Sequence, residues 1–286
     1  MSLKNKKRTI VIFALAIILI ALTAWAVWAN TALVLNTFTI SSDRLPKAFD
    51  GFKIAQVSDL HNAQIGKDNK KLISTLESAK PDIIAITGDI IDSRNTDTQV
   101  TLDFVKKAVE IAPCYYVTGN HESRIEEYES FKTEMENLGV EVLEDEKIKL
   151  EQSSSYISLI GVNDPSFTTA YLFGDSVTVM AQKLSALTDE DSYTVLLSHR
   201  PELFECYSKA KVDLVLSGHA HGGQVVLPFD IGLVAPNQGF FPKYDFGLFT
   251  QESTNMIVSR GIGNSIIPIR INNRPEVVLV QLESKQ

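Results

Sequence analysis

Cysteine is scarce. Cys114 and Cys206 are the only two in 286 residues, and neither stands in a C-x-x-C spacing. That excludes a disulfide-dense scaffold and a thiolate metal cluster. Cys114 opens an apolar run and Cys206 lies in a helical pattern, so both are expected as buried free thiols. There is no internal repeat and no low-complexity tract. Hydrophobic residues at 44% and charged residues at 22% exclude disorder, collagen and coiled coil.

Acidic residues are missing from one stretch. Residues 1–30 carry Lys4, Lys6, Lys7 and Arg8 and no Asp or Glu. The net charge of -8 therefore hides an acidic body, with 23 basic against 35 acidic residues in the remainder. Such a body argues against binding nucleic acid by charge, and no nucleic-acid partner is expected.

Ile10 to Ala29 is twenty residues without a charge. At ~1.5 Å per residue it spans a ~30 Å hydrocarbon layer. The basic residues before it predict a cytoplasmic tail at 1–9, a transmembrane anchor at 10–29 and a single-pass protein of the cell membrane. The rest then lies outside the cytoplasm. Trp25 and Trp28 fall where an outer aromatic belt belongs. A cleaved signal peptide is the rival, with Ala24-Trp25-Ala26 as a small-x-small cleavage pattern. No twin arginine precedes the segment, which favours the general secretion route.

Residues 30–45 are expected as a linker and 46–286 as one domain. Apolar runs at 54–57, 83–86, 115–117, 156–160, 195–197 and 214–216 alternate with helical patterns. Those helices are expected around 68–78, 100–111, 124–138 and 176–187. The alternation predicts an α/β domain with largely parallel strands. Runs at 224–227, 256–259 and 277–282 lack intervening helices and suggest a second, mixed sheet.

Five of the runs end alike. They lead into Ser58-Asp59-Leu60-His61, Thr87-Gly88-Asp89, Thr118-Gly119-Asn120-His121, Ser198-His199 and Ser217-Gly218-His219-Ala220-His221. All five histidines of the chain stand there. Sites in open α/β sheets form at the carboxyl ends of strands. Oxygen and imidazole donors without thiolate suit Mn²⁺, Fe or Zn²⁺. Six to seven ligands exceed one tetrahedral ion but suit two ions ~3.5–4 Å apart, which would acidify a water and clamp a phosphoryl group. Asp59 and His61, at i and i+2 of a strand end, would point the same way and share one ion.

This ordered set resembles the calcineurin-like metallophosphoesterase family over about residues 50–285. The resemblance implies a four-layer α/β/β/α sandwich, here preceded by one transmembrane helix. It implies Asp59, His61, Asp89 and His221 as ligands of one metal, and Asp89, Asn120, His199 and His219 as ligands of the other. Asp89 would bridge. His121 would protonate the leaving oxygen and Asp92 would orient it. Asp92 as a plain helix-entry acid is the alternative. Mn²⁺ is expected first, with Fe or Zn²⁺ as alternatives. Phosphoprotein phosphatases carry Arg after that second Asp, where this chain has Ser93.

A further resemblance is to the membrane-associated bacterial branch, with enzymes similar to UDP-2,3-diacylglucosamine pyrophosphatase. It rests on the anchor, Ser198-His199-Arg200-Pro201-Glu202, Gly222-Gly223-Gln224 and Ala235-Pro236-Asn237-Gln238-Gly239. Ser259-Arg260-Gly261-Ile262-Gly263 and Asn273-Arg274-Pro275-Glu276 belong with these. It implies a phosphodiesterase or pyrophosphatase on a phosphate ester, lipid-borne or nucleotide-linked. A phosphomonoesterase or nucleotidase acting on soluble substrates is the alternative. Phe229, Phe240, Phe241, Tyr244, Phe246 and Phe249 form either a lipid-facing lip or the packing of a long loop. Arg200, Arg260, Arg270 and Arg274 either meet phosphate or hold structure.

Overall fold

The structure is a computed structural model that describes residues 3–168, 174–189, 191–264 and 269–286. The first two residues of the expected cytoplasmic tail lie outside them. Helix α1 (Leu3–Thr31) contains a span of mean hydropathy 2.9, none of it buried against the body. Such a helix is long and apolar enough to cross a membrane, and a signal sequence would look the same.

Two six-stranded sheets form the body. The first holds β1 (Val34–Ser42), β2 (Lys53–Val57), β3 (Ile83–Thr87), β4 (Cys114–Val117), β5 (Val140–Val142) and β16 (Glu276–Ser284), in the order β1-β16-β2-β3-β4-β5. The second holds β6 (Glu146–Gln152), β7 (Ser155–Gly161), β8 (Thr194–Leu197), β9 (Leu214–Ser217), β14 (Gly247–Gln251) and β15 (Thr254–Val258), in the order β14-β15-β9-β8-β7-β6. In β2, Ile54 faces the core between the sheets, while Ala55 and Val57 face the outer helices. In β9, Leu214 and Leu216 face inward and Val215 outward. Strands covered on both faces read as unbroken apolar runs, which is why period-two alternation is absent from them.

Helices cover both outer faces. Leu72, Leu76 and Ala79 of α2 (Lys70–Ala79) lie on one helical stripe. With α3 (Thr98–Ala108) and α4 (Tyr128–Asn137) they close the first sheet. Met180 and Leu184 of α5 (Ser176–Leu187), with Phe204 and Tyr207 of α6 (Phe204–Lys209), close the second. This is the expected four-layer sandwich. Cys114 and Cys206 are buried free thiols, as expected.

Three expectations change. The stretch 30–45, expected as a linker, carries β1, paired in parallel with β16 from Val34↔Glu276 to Ser42↔Ser284. A second, mixed sheet is present, as expected, but the tail joins it rather than forming it alone. β14 and β15 extend the second sheet beside β9, and β16 enters the first between β1 and β2. Val277 to Leu282 is buried on both faces, so a central strand is what its composition suits. Of the run at 224–227, Val225 makes an isolated parallel bridge to Ile271, and β10 (Val226–Leu227) pairs in a hairpin with β11 (Ile231–Gly232). A second hairpin follows, β12 (Val234–Ala235) with β13 (Gly239–Phe240).

Candidate metal centre

The carboxyl ends of β2, β3 and β4 in one sheet meet those of β8 and β9 in the other. Gln56 ties the sheets below the site, donating to Ser217 O at 2.8 Å and Thr87 Oγ1 at 3.0 Å. Two buried groups result. Asp59, His61 and His221 form one, and Asp89, His199 and His219 form the other. His61 Nε2 lies 3.1 Å from His221 Nε2, and His221 Nε2 lies 3.3 Å from Asp59 Oδ1. His199 Nε2 lies 3.1 Å from His219 Nδ1 and 3.1 Å from Asp89 Oδ2. Asp89 Oδ2 is also 3.8 Å from His61 Nε2, so this carboxylate stands between the groups.

Strand geometry does not aim these residues. Asp59, His61, Asp89, His219 and His221 have φ of +51, +46, +49, +66 and +49°. Left-handed backbone at non-glycine residues is costly and clusters at functional sites. Asp59 and His61 do join one group, but past the end of β2 and by this local twist rather than by the i, i+2 rule. Gly88 is required nearby: at φ +83°, a Cβ there would meet Gly119 N and His199 Nδ1, both at 2.7 Å.

The donor set fits metal. His199 Nδ1 donates to Thr87 O at 2.8 Å, which leaves a lone pair on Nε2. His219 Nε2 lies 3.0 Å from Asn237 Oδ1, an acceptor, and 3.1 Å from Arg200 Nη1, a donor. His199 Nε2 and His219 Nδ1 approach to 3.1 Å, so a proton or a metal ion lies between them. Asn120 Oδ1 is buried without a hydrogen-bond partner, the condition of a ligand oxygen. Burial keeps His219 and His221 well below the ordinary imidazole range and His61 at about 3, so these rings are neutral donors. Burial raises Asp59 to about 6. Burial also opposes charge on His199, yet Asp89 outweighs it and lifts the ring to about 10. The two carboxylates call for positive charge, and a divalent ion answers as a proton would.

Glu122 holds the loops in place. Its carboxylate accepts the N–H groups of Asp89, Ile90, Ile91 and Gly119 at 3.0, 2.8, 3.2 and 2.7 Å. Sequence reasoning gave this residue no role, though it directly follows Asn120-His121. The other carboxylate oxygens are also anchored. Asp89 Oδ1 accepts from His121 N at 2.7 Å, and Asp59 accepts from His219 N at 3.1 Å.

His121 sits edge-on to His61, ring centres 4.5 Å apart. Its Nδ1 accepts from Ser93 N at 3.0 Å, so the neutral ring carries its proton on Nε2. Asp92 stands 3.5 Å from Nδ1, but its oxygens bond Arg94 Nε and Nη2 at 2.8 and 2.6 Å. The ring is therefore positioned by Ser93 rather than by a bond to Asp92.

A cavity of about 160 Å³ opens above the site, lined by Arg94, His121, Arg124, Arg200, Pro236 and Asn237, among others. Arg200 is buried and forked to Asp164 at 2.5 and 2.9 Å, with a third bond to Asn237 Oδ1 at 2.9 Å. Asn237 and Asp164 were missed as site residues. Asn237 lies in a stretch noted only for its resemblance, and Asp164 lies on a loop with no motif. The other arginines hold structure. Arg270 donates to the carbonyls of Arg260 and Gly263, Arg274 to that of Ala32, and Arg260 covers the Phe246 ring.

Residues 52–223 match the calcineurin-like phosphoesterase family, and the chain belongs to that family. It is a metal-dependent phosphoester hydrolase whose family uses a dinuclear divalent centre. It is 32% identical over 252 residues to an uncharacterized metallophosphoesterase, YkuE of Bacillus subtilis, covering 86% of this chain and 84% of that one. It is 26% identical to a transmembrane protein with metallophosphoesterase domain of Danio rerio, over 85% of this chain and 56% of the relative. Among solved structures, a dimetal phosphatase from Danio rerio is similar at TM-score 0.49 and 10% identity, covering 74% of this chain and 88% of that one.

Proposed function

We propose that this chain is a membrane-anchored phosphodiesterase or pyrophosphatase whose domain lies outside the cytoplasm. The observation that carries the hydrolytic part is the buried, unpartnered Asn120 Oδ1, together with Asp89, whose Oδ2 lies 3.8 and 3.1 Å from histidines of the two donor groups. Asp59, His61 and His221 would hold one ion, Asn120, His199 and His219 the other, and Asp89 both. Two divalent ions there, Mn²⁺ first with Fe or Zn²⁺ as alternatives, would supply an acidified water and charge neutralisation for an in-line attack on phosphorus.

The residues around them do the rest. His121, with its proton on Nε2, donates a hydrogen bond to the leaving oxygen. The Ser93 N–H occupies Nδ1, so this ring acts as a hydrogen-bond donor from Nε2. Of the three arginines lining the cavity, Arg94 and Arg200 are matched by Asp92 and Asp164, and Arg124 adds one further positive charge. That balance suits the single charge of a diester better than the double charge of a monoester.

Comparing bis-p-nitrophenyl phosphate with p-nitrophenyl phosphate tests this reading. A higher kcat/KM on the diester is expected, and a preference for the monoester would favour the phosphomonoesterase or nucleotidase alternative. The anchor is supported by α1 and by Lys6, Lys7 and Arg8 before its apolar core. Mass spectrometry of the N-terminus should find it intact, whereas a chain starting near Val27 or Asn30 would mean a cleaved signal.

A further inference from the structure

Six large apolar residues of the body are exposed in one neighbourhood. Phe229 is 95% exposed, Phe240 73% and Phe241 63%, and Ile231, Ile269 and Ile271 are also exposed. They belong to the β10–β11 and β12–β13 hairpins and to the strand-like segment beside them. The other aromatics of the run behave differently. Tyr244 packs edge-on against Phe204 and Phe249 at 5.5 and 5.2 Å, and Phe246 lies under Arg260. The run is thus part loop packing and part exposed patch.

Hydrogen bonds trace the patch to the end of α1. Asn30, in the last turn of that helix, accepts from Arg270 N at 2.9 Å and donates to Arg270 O at 3.3 Å. Arg270 stands between exposed Ile269 and Ile271. Ile271 O in turn accepts from Val226 N at 2.9 Å, at the base of the hairpin that carries Phe229 and Ile231. Phe241 N donates to Leu233 O at 2.9 Å, between the two hairpins. The patch and the helix exit therefore share one end of the molecule.

The metal centre is at that same end. β1 begins at Val34, three residues after α1, and pairs with Glu276 at the start of β16. β16 runs antiparallel to β2, so the start of β16 lies beside the end of β2, where Asp59 follows. Arg270 spans the distance directly: its backbone holds Asn30, and its Nη2 comes within 3.5 Å of His221 Nδ1. Asn237, which touches His219, is the turn of the hairpin that presents Phe240. Arg260 and Arg274, with Trp25 and Trp28, line a cavity of about 270 Å³ between α1 and the body.

We propose that the exposed hairpin patch docks on the bilayer that α1 enters, and that the substrate is a phosphoester carried by a lipid of that leaflet. A patch of this kind on a soluble face marks an interaction site. Aromatic side chains favour the membrane–water interface, and the adjoining anchor supplies the membrane. With the patch seated, the cavity above the metal centre opens at headgroup level, so a lipid phosphate reaches it without leaving the leaflet. This rests on the anchored-phosphodiesterase reading above and names its substrate class.

The test uses the full chain in vesicles of phosphatidylcholine and phosphatidylglycerol. Phe229→Cys and Phe240→Cys carry an environment-sensitive dye, with Lys47→Cys at the opposite end of the sheets as reference. Lipid-borne quenchers should quench the dye at 229 and 240 and leave it unaffected at 47. In parallel, a vesicle-borne phosphatidyl-p-nitrophenol is compared with soluble bis-p-nitrophenyl phosphate. The triple variant Phe229→Ser, Phe240→Ser, Phe241→Ser should lose about tenfold in kcat/KM on the lipid and stay within about twofold on the soluble diester. Release by alkaline carbonate would overturn the anchor and the docking with it. Failure to cleave either diester would overturn the phosphodiesterase reading. Retention after carbonate with no quenching at 229 and 240, or cleavage of the soluble diester alone, would overturn this proposal and leave the other two standing. Dye shifts that follow protein concentration rather than lipid would assign the patch to a second copy of the chain.

Discussion

Ser93 and His121 are joined by a hydrogen bond from the Ser93 N–H to His121 Nδ1 at 3.0 Å. Backbone thus fixes the tautomer, and Nε2–H is the face offered to substrate. Burial also holds the ring below the ordinary histidine range.

His121→Ala should retain both metals. A positioned donor of this kind contributes ~10²–10⁴-fold, most where the leaving group is poor. Turnover of an alkyl phosphodiester should therefore fall by that order, and turnover of a p-nitrophenyl ester much less. Asp92→Asn should cost under about tenfold on both, because Arg94 rather than His121 holds its oxygens. Equal losses for the two variants on the alkyl ester would return the positioning role to Asp92.

Asp164 and Arg200 make a buried pair with an acid signature. Burial works against ionising Asp164, but Arg200 outweighs it and holds the carboxyl at about 2. A depressed carboxylate contributes stability that is present above its unfolded value and lost as pH falls through its folded one. The window here runs from pH ~4 down to ~2, for about 2 kcal/mol. Urea unfolding of Asp164→Asn should show a loss of ~3–5 kcal/mol at pH 7 from removing one carboxylate of this buried pair, with Glu202 left 3.5 Å from Arg200 Nη1. It should also show a flatter decline than wild type below pH ~4. Parallel wild-type and variant curves across that window would show that the pair carries no such linkage.

Glu122→Gln tests the loop clamp. An amide NH₂ cannot accept from all four N–H groups that Glu122 now satisfies. Each orphaned donor costs ~1–3 kcal/mol. The variant should melt lower and bind metal more weakly, although Glu122 belongs to neither donor group. Unchanged metal affinity by competition with a chelator would mean that the loops hold their shape without it.

The chain's architecture and its donor residues were legible for one physical reason. Apolar runs such as Ile83–Ile86 end abruptly in polar residues, and the strand ends of a parallel sheet are where such residues gather. Partnership was not legible. Val34 to Ser42 alternates weakly, and only its pairing with β16, over two hundred residues away, makes it a strand. Nor was local twist. Asp68 and Asn69 are left-handed at φ +53 and +57°, so α2 starts at Lys70 rather than 68. Residues 122–124 form a short 3₁₀ turn that serves the site, so α4 starts at Tyr128 rather than 124. Glu122 and Asp164 were given no role because they bond backbone and a distant arginine, contacts that leave no spacing pattern in the chain.

Five strand ends converge on donor groups for two metal ions, and Asp89 is proposed to bridge them. Metal content by mass spectrometry tests it most directly, on full-length protein reconstituted with Mn²⁺ and freed of excess ion. Wild type should hold two equivalents per chain. Asp89→Ala should lose more metal than Asp59→Ala or His219→Ala, because Asp89 is the ligand proposed to be shared by both ions. One equivalent or fewer in wild type, or an Asp89→Ala protein that keeps both ions, would contradict the dinuclear account.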